Sequence, residues 1–281
     1  MKMSPIINTE DIQNLNRAHL VIVEAGSGDS AYEHYKKEHL GGALYVDLNN
    51  DLAEIPENAK NGGRHPLPSL EKFAETLQSL GIDENSHVII YDDKNGANSA
   101  ARFWWMLKAV GLEKVQVLNG GFQKAKEKGL PIDSEQVKVE KVEKFPLKQW
   151  NLPNVDLDFI KKNSEKSDFL VIDVREKDRY NGKQEPIDEI AGHIPGAINI
   201  PFKENLNEDG TFKNQEELRL LYSQYLENQK PENISVHCGS GVTACHTLLA
   251  LDYAGFAIPN LYVGSWSEWS RNNLEISKNI D

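Results

Sequence analysis

Short apolar runs alternate with longer amphipathic ones along the whole chain. AHLVIVEA (18–25), SHVIIYD (86–92) and VQVLNG (115–120) read as strands in the first half. FLVIDV (169–174), AINIPF (197–202), NISVHC (233–238) and NLYVG (260–264) do so in the second. Between them, SLEKFAETLQSLGI (69–82) and QEELRLLYSQYLEN (215–228) carry apolar residues at helical spacing. Strand and helix in alternation predict an α/β fold, with parallel sheets covered on both faces.

The pattern also repeats. HLGGALYVDL (39–48) resembles HIPGAINIPF (193–202), and HVIIYDD (87–93) resembles NISVHCG (233–239), with Asp92 opposite Cys238. KAVGLEKVQVLNGGF (108–122) matches DYAGFAIPNLYVGSW (252–266), pairing Gly111 with Gly255. Three matches in the same order indicate a duplicated domain rather than a short-period solenoid. The expected division is a first domain over 1–132, a linker over 133–151 and a second domain over 152–281. The charge-rich linker stretch reads equally well as a solvated sheet edge.

Composition narrows the function. The 281 residues carry a formal net charge of -12, which argues against a nucleic-acid partner. No apolar run is long enough to span a membrane, and the N-terminus lacks the apolar core of a secretory signal. Two cysteines in such a length are no disulfide framework, so a reducing cytoplasm is expected.

Both cysteines fall in SVHCGSGVTACHTLLALDYAGF (235–256). A buried strand ends at Cys238, and a helix opens near Val242 or Thr243 and stops at Gly255. That places the Cys238 thiol at the carboxyl edge of a sheet, facing a helix N-terminus, where open α/β sheets bind ligands. Gly239, Ser240 and Gly241 can turn successive N–H groups inward, which favours thiolate over thiol. Cys245 lies two helical turns on, roughly 10 Å along the axis. A disulfide needs Cα atoms within about 7 Å, so Cys245 is read as packing. A cysteine phosphatase would need arginine six residues after the nucleophile, where Ala244 stands. A zinc site from His237, Cys238, Cys245 and His246 lacks the usual ligand spacing.

CGSGVTACH, with GRHPLP (63–68), FWWMLKAVG, LNGGF, DVREKDRY, GHIPGAINIPF and GSWSEW, resembles the two-domain rhodanese superfamily. The loop itself resembles that of its 3-mercaptopyruvate sulfurtransferases. The resemblance implies two tandem rhodanese-like domains, each a parallel sheet flanked by helices, the first catalytically silent. It implies ping-pong chemistry, in which Cys238 takes sulfane sulfur as a persulfide and passes it to a thiol, thioredoxin or cyanide. Gly239, Gly241, Val242 and Thr243 would hold the persulfide anion, and Arg179 the donor's anionic end. Arg179 reads alternatively as a surface partner of Glu176 or Asp178. No metal or organic cofactor is implied.

Ser240 and His65 match a proposed acid–base relay, whose aspartate position falls on Asn49, with Asp51 as a substitute. A second donor-binding arginine of the mercaptopyruvate enzymes falls on Ile187, which weakens carboxylate recognition. Thiosulfate enzymes carry two cations after the cysteine, where this chain has Gly239-Ser240. The donor expected is 3-mercaptopyruvate, with thiosulfate as the alternative. A persulfide carrier or sensor that hands sulfur to a partner protein is a further reading. His39 and His193, duplicated without a catalytic partner, are expected to be structural, Asp173 and Arg175 an internal ion pair, and Trp104, Trp105 and Trp266 core.

Overall fold

The computed structural model describes residues 3–139, 142–227 and 229–279. The chain forms two compact units: Met1–Glu54 with Pro68–Asn151 and Glu208–Phe212, and Ile55–Leu67 with Leu152–Asn207 and Lys213–Asp281.

In the first unit the order is β1 (Ile6–Ile7), α1 (Thr9–Ile12), β2 (Leu20–Gly26), α2 (Ala31–Lys37), β3 (His39–Leu40) and β4 (Leu44–Asp47). Then follow α3 (Leu70–Ser79), β5 (His87–Tyr91), α4 (Ser99–Ala109), β6 (Val115–Leu118), α5 (Gly121–Glu127) and β7 (Ile132–Asp133). The second unit runs β8 (Asn154–Val155), α6 (Leu157–Asn163), β9 (Leu170–Asp173), α7 (Lys177–Tyr180) and β10 (Ile198–Asn199). It closes with α8 (Gln215–Leu226), β11 (Ile234–His237), α9 (Ala244–Tyr253), β12 (Asn260–Tyr262) and α10 (Ser265–Trp269).

The two main sheets have one topology. The first is ordered β1-β6-β5-β2-β4 and the second β8-β12-β11-β9-β10, all pairs parallel. Corresponding strands hold corresponding places, so the sequence repeat is a repeat of whole domains. A separate antiparallel pair, β3 with β7, was not expected. Strands of two residues carry no periodicity to read.

Local signals explain the helix boundaries. Asn214 caps α8 in a reciprocal box with Glu217, and Leu218, Tyr222 and Leu226 line its buried face. Residues 244–252 of α9 are buried throughout, which makes it a central helix, and Gly255 stops it at φ +83°. Trp104, Trp105 and Trp266 are fully buried, as expected. The duplicated histidines do the same structural job. His39 Nδ1 lies 2.7 Å from the Tyr35 carbonyl and His193 Nδ1 2.8 Å from the Tyr180 carbonyl, each ring stacked on its tyrosine. Among the described residues no helix is long and apolar enough to cross a membrane.

Candidate active site

β11 is flanked by β12 and β9, and Cys238 is the first residue beyond its carboxyl end. The side chain is buried, at 3 % exposure, and both cysteines are free. The backbone of Cys238 is already satisfied: its N–H donates to Ser265 Oγ at 3.2 Å, and its carbonyl accepts from Trp266 N at 3.1 Å. The loop beyond it therefore carries the available donors. Among the described residues, the N–H groups of Gly239, Ser240, Val242 and Thr243 meet no protein acceptor. Gly241 has φ +73°, and a Cβ there would run into the Val263 carbonyl, so the turn requires glycine. Cys245 is fully buried on α9, its thiol donating to the Gly241 carbonyl at 3.3 Å. That is packing, as expected.

The first unit shows what this loop geometry accommodates. Asp92 occupies the same place beyond β5, buried, and accepts from four backbone N–H groups. Oδ1 takes Lys94 N at 2.9 Å and Gly96 N at 2.7 Å; Oδ2 takes Asn98 N at 3.1 Å and Ala100 N at 3.2 Å. Burial raises the carboxyl's pKa, and these donors offset part of that rise. The first loop is thus a nest already filled by the protein's own acid.

Ser240 and His65 meet, Oγ to Nδ1 at 2.8 Å, although 175 positions separate them. His65 sits in the 55–67 segment of the second unit, which is fastened to α10. Gly62 N donates to Glu268 Oε1 at 2.7 Å, Arg64 N to Ser267 Oγ at 3.0 Å, and Asn272 Nδ2 to the Lys60 carbonyl at 2.9 Å. Burial raises the Glu268 pKa, against the lowering contacts from Gly62 N–H and Tyr262 OH. Ser265, at φ +55°, and Ser267, whose N–H donates to the Gly239 carbonyl at 2.9 Å, brace the loop from the same helix. Asp51, in the first unit, accepts the Asp47 N–H at 2.7 Å, and burial raises its pKa.

Arg179 does reach the loop. A Cβ on Gly239 would stand 3.4 Å from its Nη2 and 3.7 Å from its Nη1. Its ion-pair partners are Glu185 at 2.7 Å and Asp188 at 3.4 Å, not its sequence neighbours Glu176 and Asp178. Asp173 and Arg175 form the expected internal pair at 2.6 Å, and the guanidinium lies 4.6 Å from the Trp266 ring centre. Burial would raise the Asp173 pKa, but the adjoining guanidinium holds it below the usual carboxylate range. Burial lowers the pKa of His237, the imidazole next to Cys238, against the raising effect of the Asp173 carboxylate.

Sequence reasoning missed Arg64. A Gly239 Cβ would stand 3.1 Å from its Nη2, closer than to either Arg179 nitrogen. The only hint was its place beside His65 in GRHPLP. It also missed Asp188, whose buried carboxylate joins Arg64, Arg179 and Arg271.

A cysteine at the carboxyl end of a central strand, before a glycine turn with open N–H groups, in the second of two five-stranded sheets of the same topology, has the form of a rhodanese-type site. The rhodanese-like domain family matches residues 10–128 and 156–272, and the chain belongs to that family. It is 39% identical over 236 residues to a Pseudomonas aeruginosa protein named as a probable 3-mercaptopyruvate sulfurtransferase, spanning 84% of this chain and 82% of the relative. It is 36% identical over 245 residues to the thiosulfate sulfurtransferase of Bos taurus, spanning 85% and 80%. The solved 3-mercaptopyruvate sulfurtransferase from Leishmania major superposes with a TM-score of 0.83 at 29% identity, covering 94% of this chain and 74% of that one. The chain is a sulfurtransferase by class.

Proposed function

We propose that the chain moves sulfane sulfur from 3-mercaptopyruvate, through a persulfide on Cys238, to a thiol acceptor such as thioredoxin. The Cys238 thiolate attacks the donor sulfur, the carbon–sulfur bond breaks, and the enolate of pyruvate leaves. The proton of the donor thiol must then reach the methylene carbon, giving pyruvate and a Cys238 persulfide anion. An acceptor thiolate attacks the outer sulfur and restores the Cys238 thiolate. N–H groups of Gly239, Gly241, Val242 and Thr243 line the loop that would steady the persulfide charge. Arg179 would hold the donor carboxylate. The first domain, with Asp92 in place of a thiol, would be silent, and 133–151 would link it to the second.

The observation that carries this reading is the Ser240–His65 hydrogen bond beside Cys238. Thiosulfate needs no proton transfer, because sulfite leaves as a stable anion. Mercaptopyruvate does need one, and a hydroxyl paired with an imidazole is suited to provide it. Thiosulfate is the second reading, favoured by the two guanidiniums at Gly239, which suit a dianion. The test is kcat/KM for both donors with one acceptor. A higher value for mercaptopyruvate is expected; a higher value for thiosulfate would reverse the assignment.

A further inference from the structure

Four arginines gather behind the Cys238 loop: Arg64, Arg175, Arg179 and Arg271. Three buried carboxylates, Asp173, Glu185 and Asp188, face them, each with a side chain at most 3 % exposed. Glu189, which touches Arg271 at 3.2 Å, is 71 % exposed and its charge is screened by water. Four guanidiniums against three buried carboxylates leave the cluster one positive charge in excess, ready to take an anion.

The geometry says where that anion goes. Arg175 is sealed, its guanidinium committed to Asp173, Glu185 and the Gly192 carbonyl. Arg179 commits Nε and Nη2 to Glu185 and Asp188, leaving Nη1 without a protein acceptor among the described residues. Arg64 commits Nη1 to Asp188 and leaves Nη2 likewise open. Both open nitrogens lie within 3.7 Å of the point where a Gly239 Cβ would stand, one residue from Cys238. Ile187, by contrast, is 57 % exposed and carries no charge.

We propose that Arg64 is the second cation that holds the anionic end of the sulfur donor. This rests on the sulfurtransferase reading above. One donor oxygen is taken by Arg179 Nη1 and another by Arg64 Nη2, while Asp188 fixes the spacing of the two forks. Glycine at 239 leaves the space between them open. The arrangement supplies from the 55–67 segment the charge that Ile187 lacks.

The experiment compares 3-mercaptopyruvate with 1-mercaptopropan-2-one, the mercapto ketone in which a neutral methyl group replaces the carboxylate. Arg64→Ala should lower kcat/KM for mercaptopyruvate by about ten- to two-hundred-fold, mostly through KM. Arg64→Lys should recover part of the loss. Single-turnover loading of Cys238 from the neutral ketone should keep its wild-type rate in both variants. Unchanged kcat/KM for mercaptopyruvate in Arg64→Ala would overturn the proposal. So would an equal loss on both donors, which would mark the arginine as structural. If the wild type uses thiosulfate and not mercaptopyruvate, the donor assignment fails by itself. Arg64 is then judged on thiosulfate, where the same loss upholds its role and an unchanged rate removes it.

Discussion

His65 Nδ1 lies 2.8 Å from Ser240 Oγ, a hydrogen bond that joins the 55–67 segment to the loop after Cys238. A proton carrier there would serve mercaptopyruvate and not thiosulfate. Ser240→Ala and His65→Ala should each lower kcat for mercaptopyruvate by about a hundred-fold or more, within the usual range for general acid–base catalysis. Thiosulfate turnover, which moves no proton, should change far less. Equal losses on both donors would mean that the pair only shapes the loop.

Arg179 is expected to act on donor binding. Its removal leaves Glu185 with Arg175 at 3.2 Å and Asp188 with Arg64 and Arg271, so folding should survive. Arg179→Ala should cost a charge-assisted contact of about 1.5–3 kcal/mol in kcat/KM for mercaptopyruvate, and Arg179→Lys should restore part of it. A variant that melts normally and keeps wild-type kcat/KM would assign the arginine to its carboxylates alone.

Asp92 is expected to stabilise the first domain without taking part in chemistry. Asp92→Ala removes the carboxylate from four backbone N–H groups, those of Gly96 and Ala100 buried, a loss of about 2–4 kcal/mol. Denaturant titration should show it, while persulfide loading of Cys238 under native conditions should not fall. Unchanged stability would mean that water replaces the carboxylate at no cost.

Glu24 gives the first domain a pH dependence. Burial raises its pKa to about 7, against the lowering effect of the Tyr91 hydroxyl that donates to it at 2.7 Å. The folded state thus holds a proton that the unfolded chain gives up near pH 4.5. This contribution to stability is full below that value, declines as pH rises, and is lost above about 7. Glu24→Gln should raise Tm at pH 8 and leave it nearly unchanged at the acid end. A Tm difference independent of pH would contradict this account.

The fold was legible where physics is local. Long central strands announced themselves as apolar runs, α8 by its apolar spacing, and the end of α9 by Gly255. Asp92 opposite Cys238 was legible because both follow the same buried run. The ion pairs of Arg179 were not, because Glu185 and Asp188 come from the turn after α7, and their burial depends on tertiary packing. Arg64 was the least legible. Its segment has no periodicity, and what carries it to Gly239 is the grip of Ser267 and Glu268, some two hundred positions away.

The central claim is that Cys238 carries the sulfur, and intact-mass measurement after brief exposure to 3-mercaptopyruvate tests it most directly. Wild type and Cys245→Ser should each gain the mass of one sulfur atom, lost again on addition of a thiol, and Cys238→Ser should gain none. An adduct that persists in Cys238→Ser, or vanishes in Cys245→Ser, would contradict the account.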